Sequence, residues 1–337
     1  MRRLPVILAL IAMLSCFPAA AREWEEPQEG PDSPFACSCF AVYGDRPVYG
    51  MNFDYPDCEV KFTIGSKGGL RIFEMKFSRG GKFIGTVGMN SAGLFVSSQM
   101  CYPEVVSGKR PGTGEIFIWK VYTHSLPRCE TVAEVLDYVS DKKAVPCTVS
   151  LHEFVADAYG NAMAVEIGGS GNEITKMDGN SMVMTNFPVC AFRGKPAGET
   201  CGVGADRYQV ITRHIRKHRG HFGLEEAMGT LERAAMTGEW ATRCSMVFLP
   251  ENGEVYIALG RDYDHIWKLS LEEKTIETHE GFDAPWSTKV GFTGVTAAEM
   301  VHGDASAASL GPGRFVTPAI IVVGVVLLVV VGRKIRS

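Results

Sequence analysis

The sequence predicts an α+β fold. Two observations carry that prediction. Strand-like segments fall in adjacent pairs around turn residues, and helical periodicity is confined to separate groups instead of alternating with single strands. The first hairpin is expected over 40–49, turning at Gly44-Asp45-Arg46. Further strands are expected over 61–64, 71–77, 82–87 and 93–98. Helical spacing follows over 114–124 and 131–140, with Thr131 as N-cap and Glu134 three residues on, the pattern of a capping box. A second hairpin, over 151–158 and 163–167, turns at Tyr159-Gly160-Asn161. Helices are expected over 205–217 and 224–235. A third hairpin joins 244–249 to 255–259 through Glu251-Asn252-Gly253. No internal repeat is present.

The two ends of the chain have a different character. Arg2 and Arg3 precede an apolar stretch over 4–14, and Ala19-Ala20-Ala21 offers small residues for cleavage, so 1–21 reads as an export signal. Cys16 leaves lipid attachment open as an alternative. Residues 315–332 are uncharged and dominated by Val, Ile and Leu, about the length that crosses a bilayer. Arg333-Lys334-Ile335-Arg336 follows, and such a basic tail stays in the cytoplasm. The expected topology is a single-pass cell-membrane protein with its main domain, 37–300, outside. Residues 22–36, rich in Glu and Pro, form a leader that cannot bury enough apolar surface to order itself, and 301–314 reads as a linker.

Of the 337 residues, about 280 remain between the ends, enough to bury a substantial core. The net charge of -4 gives no reason to expect a nucleic-acid partner. The short basic run from His214 to Arg219 reads as the solvated face of a helix. The ten cysteines show no spacing that defines a disulfide pairing, and nothing speaks to oligomeric state. No CxxC pair and no histidine spacing fits a metal, no glycine-rich phosphate loop follows a strand, and no Gly-x-Ser-x-Gly elbow is present, so neither a metal nor a cofactor is expected.

What remains is Cys37, which starts a strand just after the polar leader. If the chain were cut between Ala36 and Cys37, the new α-amine, with a reference pKa of about 8, would lie within reach of its own side-chain sulfur. It can then act as base for the thiol, with no histidine needed. Cys37 can equally be read as one more small core residue.

Several motifs bear on that choice. Cys37-Ser38-Cys39-Phe40 is followed by Gly50-Met51-Asn52-Phe53-Asp54-Tyr55, and then by Gly88-Met89-Asn90-Ser91-Ala92-Gly93-Leu94. Leu151-His152, Asp157-x-x-Gly160 and Val165-Glu166 come next. Thr185-Asn186-Phe187-Pro188, Asp206-Arg207-Tyr208 and Trp240-Ala241-Thr242-Arg243-Cys244-Ser245 complete the series. In this order they resemble the choloylglycine hydrolase and penicillin V acylase group of N-terminal nucleophile (Ntn) hydrolases. The last motif is similar to the branch that includes the acyl-coenzyme A:6-aminopenicillanate acyltransferase.

That resemblance implies a four-layer αββα sandwich and a cysteine amidase acting on linear carbon–nitrogen bonds of small acyl amides. It also implies roles. Cys37 supplies the sulfur and the α-amine, and Asp54 holds that amine by a charge-assisted hydrogen bond. Arg207 favours thiolate. The Asn186 side-chain amide donates to the oxyanion, with a main-chain N–H near Met100 as second donor, each worth roughly 3 kcal/mol. Plain structural readings stand beside these: Asp54 and Asn186 as turn residues ahead of prolines, Arg207 as a surface residue paired with Asp206, and Gln99 or Tyr102 as the pocket lining in place of Met100.

The chain departs from the family's pattern at Met51, where an arginine is frequent. That departure shifts thiolate stabilisation onto Arg207. Met51, Met100 and Phe187 would favour an apolar acyl group. Cys39, two residues on and on the same strand face, is the rival nucleophile. Acyl transfer to an amine and a non-catalytic binding module on the same fold are the rival functions.

Overall fold

The computed structural model describes residues 36–309, with the side chains of 36 and 305–309 excepted. The expected export signal, nearly all of the leader, and the expected membrane span and tail lie outside the described residues. Among those described, no helix is long and apolar enough to cross a membrane.

In chain order the strands are β1 (Ala36–Tyr43), β2 (Pro47–Asp54), β3 (Val60–Lys67), β4 (Leu70–Arg79), β5 (Lys82–Asn90), β6 (Phe95–Met100), β7 (Glu115–Phe117), β8 (Lys143–Val145) and β9 (Leu151–Ala156). They continue with β10 (Ala162–Ile167), β11 (Asn172–Lys176), β12 (Ser181–Met184), β13 (Thr242–Leu249), β14 (Glu254–Leu259), β15 (Asp262–Ser270), β16 (Thr275–Glu280), β17 (Ser287–Lys289) and β18 (Val295–Thr296). Helices α1 (Lys120–Ser125) and α2 (Val132–Ser140) precede β9. Helices α3 (Ala205–Lys217) and α4 (Leu224–Arg233) lie between β12 and β13, and α5 (Ala297–Ser309) comes last.

Two antiparallel sheets of eight strands result. The first runs β12-β1-β2-β13-β14-β15-β16-β17 and the second β11-β10-β9-β6-β5-β4-β3-β18. Strand alternation divides the apolar residues among three cores. Cys37, Cys39, Met51 and Phe53 from the first sheet meet Phe73, Met89, Phe95 and Phe154 from the second, so one core lies between the sheets. Phe40, Val42 and Val247 face the other way, onto Ile211 and Ile215 of α3 and Leu231 of α4. Val96, Val155 and Val165 face Val121 of α1 and Val135 and Val139 of α2. The layers are therefore helix, sheet, sheet, helix.

Local signals in the sequence explain several elements. The Thr131 hydroxyl accepts the Glu134 N–H, and the Glu134 carboxylate accepts the Thr131 N–H, which closes the box at the start of α2. The basic run from His214 lies in the last turn of α3, where it complements the helix dipole, with Asp206 in the first turn. Two expectations differ from the structure. The helix over 114–124 is instead the strand β7, paired in parallel with β8, followed by the short α1. A short apolar run with β-branched and aromatic residues satisfies either period, and pairing with 143–145 decides it. The first part of the expected linker belongs to α5, whose run of alanines favours helix.

The tie between the second sheet and its helices centres on Asn90. Its Nδ2 donates to the Leu126 and Cys129 carbonyls, and its Oδ1 accepts the Ala92 and Leu94 N–H groups. One buried side chain thus satisfies four main-chain groups. Asn90→Ala should lower unfolding free energy by about 3 kcal/mol, since buried polar groups would lose their partners. Urea denaturation measures this, and a loss well under 1 kcal/mol would contradict that account of the turn.

Candidate active site

The site forms where β1 outruns its neighbour. β1 pairs with β12 from Val42↔Ser181 to Cys39↔Met184, and there β12 ends. On the other side β1 continues along β2 to Ala36↔Asp54. The Cys37 N–H therefore lacks a strand partner, and the side chain of Asn186 takes that place. Asn186 Oδ1 accepts the Cys37 N–H at 2.9 Å. Its Nδ2 donates to the Met100 carbonyl at 2.9 Å, and its own carbonyl accepts the Tyr102 N–H at 2.7 Å. Met100 closes β6 of the opposite sheet. Cys101 makes the next bond toward β9, which turns the Met100 carbonyl the other way, toward Asn186. One amide thus ties the first sheet, the second sheet and the Cys37 main chain together.

Arg207 arrives from the first turn of α3. Its guanidinium donates to the Cys37 carbonyl and to Asn186 Oδ1, each at 2.6 Å, and lies 3.6 Å from Asp54 Oδ2. Gly204 makes the approach possible. It caps α3 with φ +81°, and a Cβ there would stand 2.6 Å from the guanidinium and 3.0 Å from Thr185. Asp54, at the end of β2, is fully buried. Its Oδ1 accepts the Thr242 hydroxyl at 2.5 Å, and its Oδ2 has no hydrogen-bond partner. Thr242 stands at the bulge where β13 meets β2, opposite Asp54.

The electrostatics follow from this packing. Burial and the Asp54 carboxylate push the Cys37 thiol up to about 12, against the opposing pull of the Asp54 main-chain N–H and of Arg207. Cys37 is buried, 5% exposed, and its thiol is protonated at neutral pH. Burial likewise lifts Asp54 to about 7, although Arg207 and Thr242 hold it down. Cys39 points into the same core, fully buried, and its thiol is pushed up well beyond the ordinary range, chiefly by burial.

Cys37, Asp54, Asn186 and Arg207 are thus brought into one cluster. The structure adds partners that the sequence did not specify. The Asn186 amide, expected to face an oxyanion, donates one of its two N–H groups to the Met100 carbonyl. Met100 thus offers its carbonyl to Asn186. Phe187 packs edge-on against Phe192 and Tyr208, while Met51 lies in the inter-sheet core beneath the Ser97 hydroxyl. Tyr102 lies near enough for the Cys37 charge to help raise its phenol, after burial and Glu104, and its hydroxyl has no partner. Thr242 belongs to the last of the sequence motifs, and its hydroxyl faces the buried Asp54 carboxylate across the β2–β13 pair.

A second group, with His152 and Glu166 buried and Cys101 half-buried, borders the cluster. Cys101, His152 and Glu166 each place a side-chain donor or acceptor atom within 4.8 Å of the others. His152 Nδ1 faces Glu166 Oε1 at 3.1 Å and Nε2 faces the Thr185 carbonyl at 2.8 Å. Both partners are acceptors, so both ring nitrogens carry a proton and neither offers a metal a lone pair. The group reads as an ion pair. Two surface clefts lie along α3, one around Gln209, Thr212 and Arg213 and one around His214, Lys217 and Arg233, and neither is lined by a cluster residue.

No protein-family model matches the chain, and no curated protein matches it. Solved structures do. Two variants of the conjugated bile acid hydrolase from Clostridium perfringens align with TM-scores of 0.55 and 0.53 at 14% and 16% identity, covering 76% and 72% of this chain and 98% and 96% of theirs. The penicillin V acylase from Agrobacterium tumefaciens aligns at 0.52 and 15% identity, covering 72% of this chain and 91% of its own. The fold is shared with these Ntn hydrolases.

Asp54 carries a testable consequence. Its folded pKa lies above the ordinary carboxylate value, so its share of stability is full below about 3.8 and is lost as pH rises through about 7. Urea denaturation across pH 4 to 8 should show wild-type stability declining over that interval, and Asp54→Asn should flatten the decline. Identical slopes would refute the buried, uncompensated carboxylate.

Proposed function

We propose that the protein is a cysteine amidase of the N-terminal nucleophile type, cut between Ala36 and Cys37, that hydrolyses small linear acyl amides through a Cys37 acyl-enzyme. The observation that carries this reading is the pairing of the Cys37 nitrogen. Its one N–H is held by Asn186 Oδ1, and in the same cluster Asp54 Oδ2 is buried with Arg207 at 3.6 Å but no hydrogen bond. A cut would give that nitrogen two or three hydrogens in place of one, and Asp54 is the acceptor left over. The shared fold supports an amide-cleaving hydrolase.

In this reading the uncut chain is inert for two reasons. The α-nitrogen is an amide and cannot take a proton, and the thiol, at about 12, stays protonated. After the cut the α-amine takes the thiol proton, and the thiolate attacks the substrate carbonyl carbon. The tetrahedral oxyanion takes the second N–H of the Asn186 amide, the first being held by the Met100 carbonyl. Collapse breaks the carbon–nitrogen bond, and the α-ammonium gives its proton to the leaving amine. Water, deprotonated by the same amine, then cleaves the thioester and restores the thiol. Asp54 holds the amine, and Arg207 holds the Cys37 carbonyl and Asn186. Export and a membrane anchor, read from 1–21 and 315–332, would place this chemistry outside the cell.

Intact mass of the purified full chain should show a mature N-terminus at Cys37 in the wild type and retained leader in Cys37→Ala. The processed wild type should release the amine from at least one of penicillin V, a glycine-conjugated bile acid or simple acyl amides, and Cys37→Ala should lose that activity by a factor on the order of 10⁶. Undiminished activity in a chain that begins elsewhere would sink the reading.

A further inference from the structure

We propose that His152 and Glu166 are a positioning pair that grips both sides of the turn carrying Asn186, and so sets where the Asn186 amide stands relative to Cys37. This rests on the proposed amidase reading and adds to it a role for two residues that touch neither Cys37 nor Asp54.

The geometry is a bracket. His152 Nε2 donates to the Thr185 carbonyl at 2.8 Å, immediately before Asn186. Glu166 accepts the Val189 N–H at 2.7 Å on Oε1 and the Cys190 N–H at 2.8 Å on Oε2, immediately after the Phe187-Pro188 step. His152 Nδ1 joins the two halves at Glu166 Oε1. Both residues belong to the second sheet, one rung beyond Val165↔Glu153 in the pairing of β9 with β10, whereas the turn continues β12 of the first. Both are buried. The turn needs outside support, because Pro188 has no N–H and residues 185–190 are not part of a ladder.

The charges fit the role. Burial alone would push the His152 ring down, but Cys101 at the end of β6 and Glu166 on β10 outweigh it and raise His152 to about 10. Glu166 is held below its usual range despite burial, by His152 and by the two main-chain N–H groups. Cys190 also faces Glu166, and Glu153 neighbours His152 on the opposite strand face. The His152 proton stabilises the fold fully below about 6.5, and that contribution fades as pH climbs toward about 10. The bracket is therefore charged and closed at neutral pH.

The test uses the full processed chain with Glu166→Gln, His152→Gln and the double variant. Expected is a fall in kcat on the order of 100-fold for the folded protein, since an ångström of misplacement costs about that much, with KM changing far less. The double variant should lose no more than the worse single, because the two act as one unit. Amide exchange at Val189 and Cys190 should quicken in all three. Folded variants with wild-type kcat would overturn the proposal, leaving the pair as interior packing. If the wild type hydrolysed no amide, the amidase reading would fail separately. The positioning claim would then be judged by the Asn186 side-chain amide resonance, which the variants must shift and which would refute the claim if unmoved. If the variants do not fold, nitrogen spectra of the wild type decide: His152 must carry two ring protons from pH 6 to 9, and a single proton at neutral pH would overturn the pair.

Discussion

The arrangement depends on one side-chain amide spanning the gap between two sheets. Asn186 receives the Cys37 N–H and an Arg207 N–H on its oxygen and donates a hydrogen bond from its nitrogen to the Met100 carbonyl on the facing sheet. An amide is suited to this because it accepts and donates along opposed directions within one rigid plane. A carboxylate there would have nothing to give Met100, and an aliphatic residue would orphan three buried groups. The position of Cys37 is thus set less by its own strand than by what stands in for the missing rung beside it.

That cluster stores a cost. Asp54 sits fully buried with one oxygen satisfied by Thr242 and the other with no hydrogen bond, and Arg207 at 3.6 Å only partly offsets the lost hydration. Folded proteins retain such groups chiefly where function needs them. Cys37 bears the consequence, since the same carboxylate that awaits a cation keeps the neighbouring sulfur from ionising.

Much of this was legible in the sequence. The paired strands, the Thr131 box and the helices over 205–217 and 224–235 follow from period and capping, and the four candidate residues lie in motifs that share an order with a known family. What was not legible depends on neighbours distant in the chain. Strand β7 owes its form to residues 143–145, nearly thirty positions on. The partners of Asn186 are Cys37 and Met100, at separations of 149 and 86, so its use of Oδ1 and Nδ2 has no local signature. His152 and Glu166 were half visible: alternation places them on the inward face with Phe154 and Ala164, and two ionisable residues facing a core must pair. Their grip on the 185–190 turn could be seen only once the sheets were stacked.

Burial bears on what the proposed cut would change. In the uncut chain burial and the Asp54 charge both favour the neutral thiol, and the Asp54 main-chain N–H and Arg207 only partly oppose them. Cutting the bond before Cys37 would add a protonatable nitrogen on the carbon next to that sulfur, and a cation at such a distance in a low-dielectric site is worth several pKa units. It would also give Asp54 the partner that its second oxygen lacks, which lowers the carboxyl and relieves its desolvation. Thiol and carboxyl would then move in the same direction, each toward its charged form, in response to one covalent change. A site built around a histidine base needs no such step, because its base is present before and after any cut. On the proposed reading the base would be made by the cut itself, and a buried Asp54 with one oxygen lacking a hydrogen bond is the structural counterpart of that dependence.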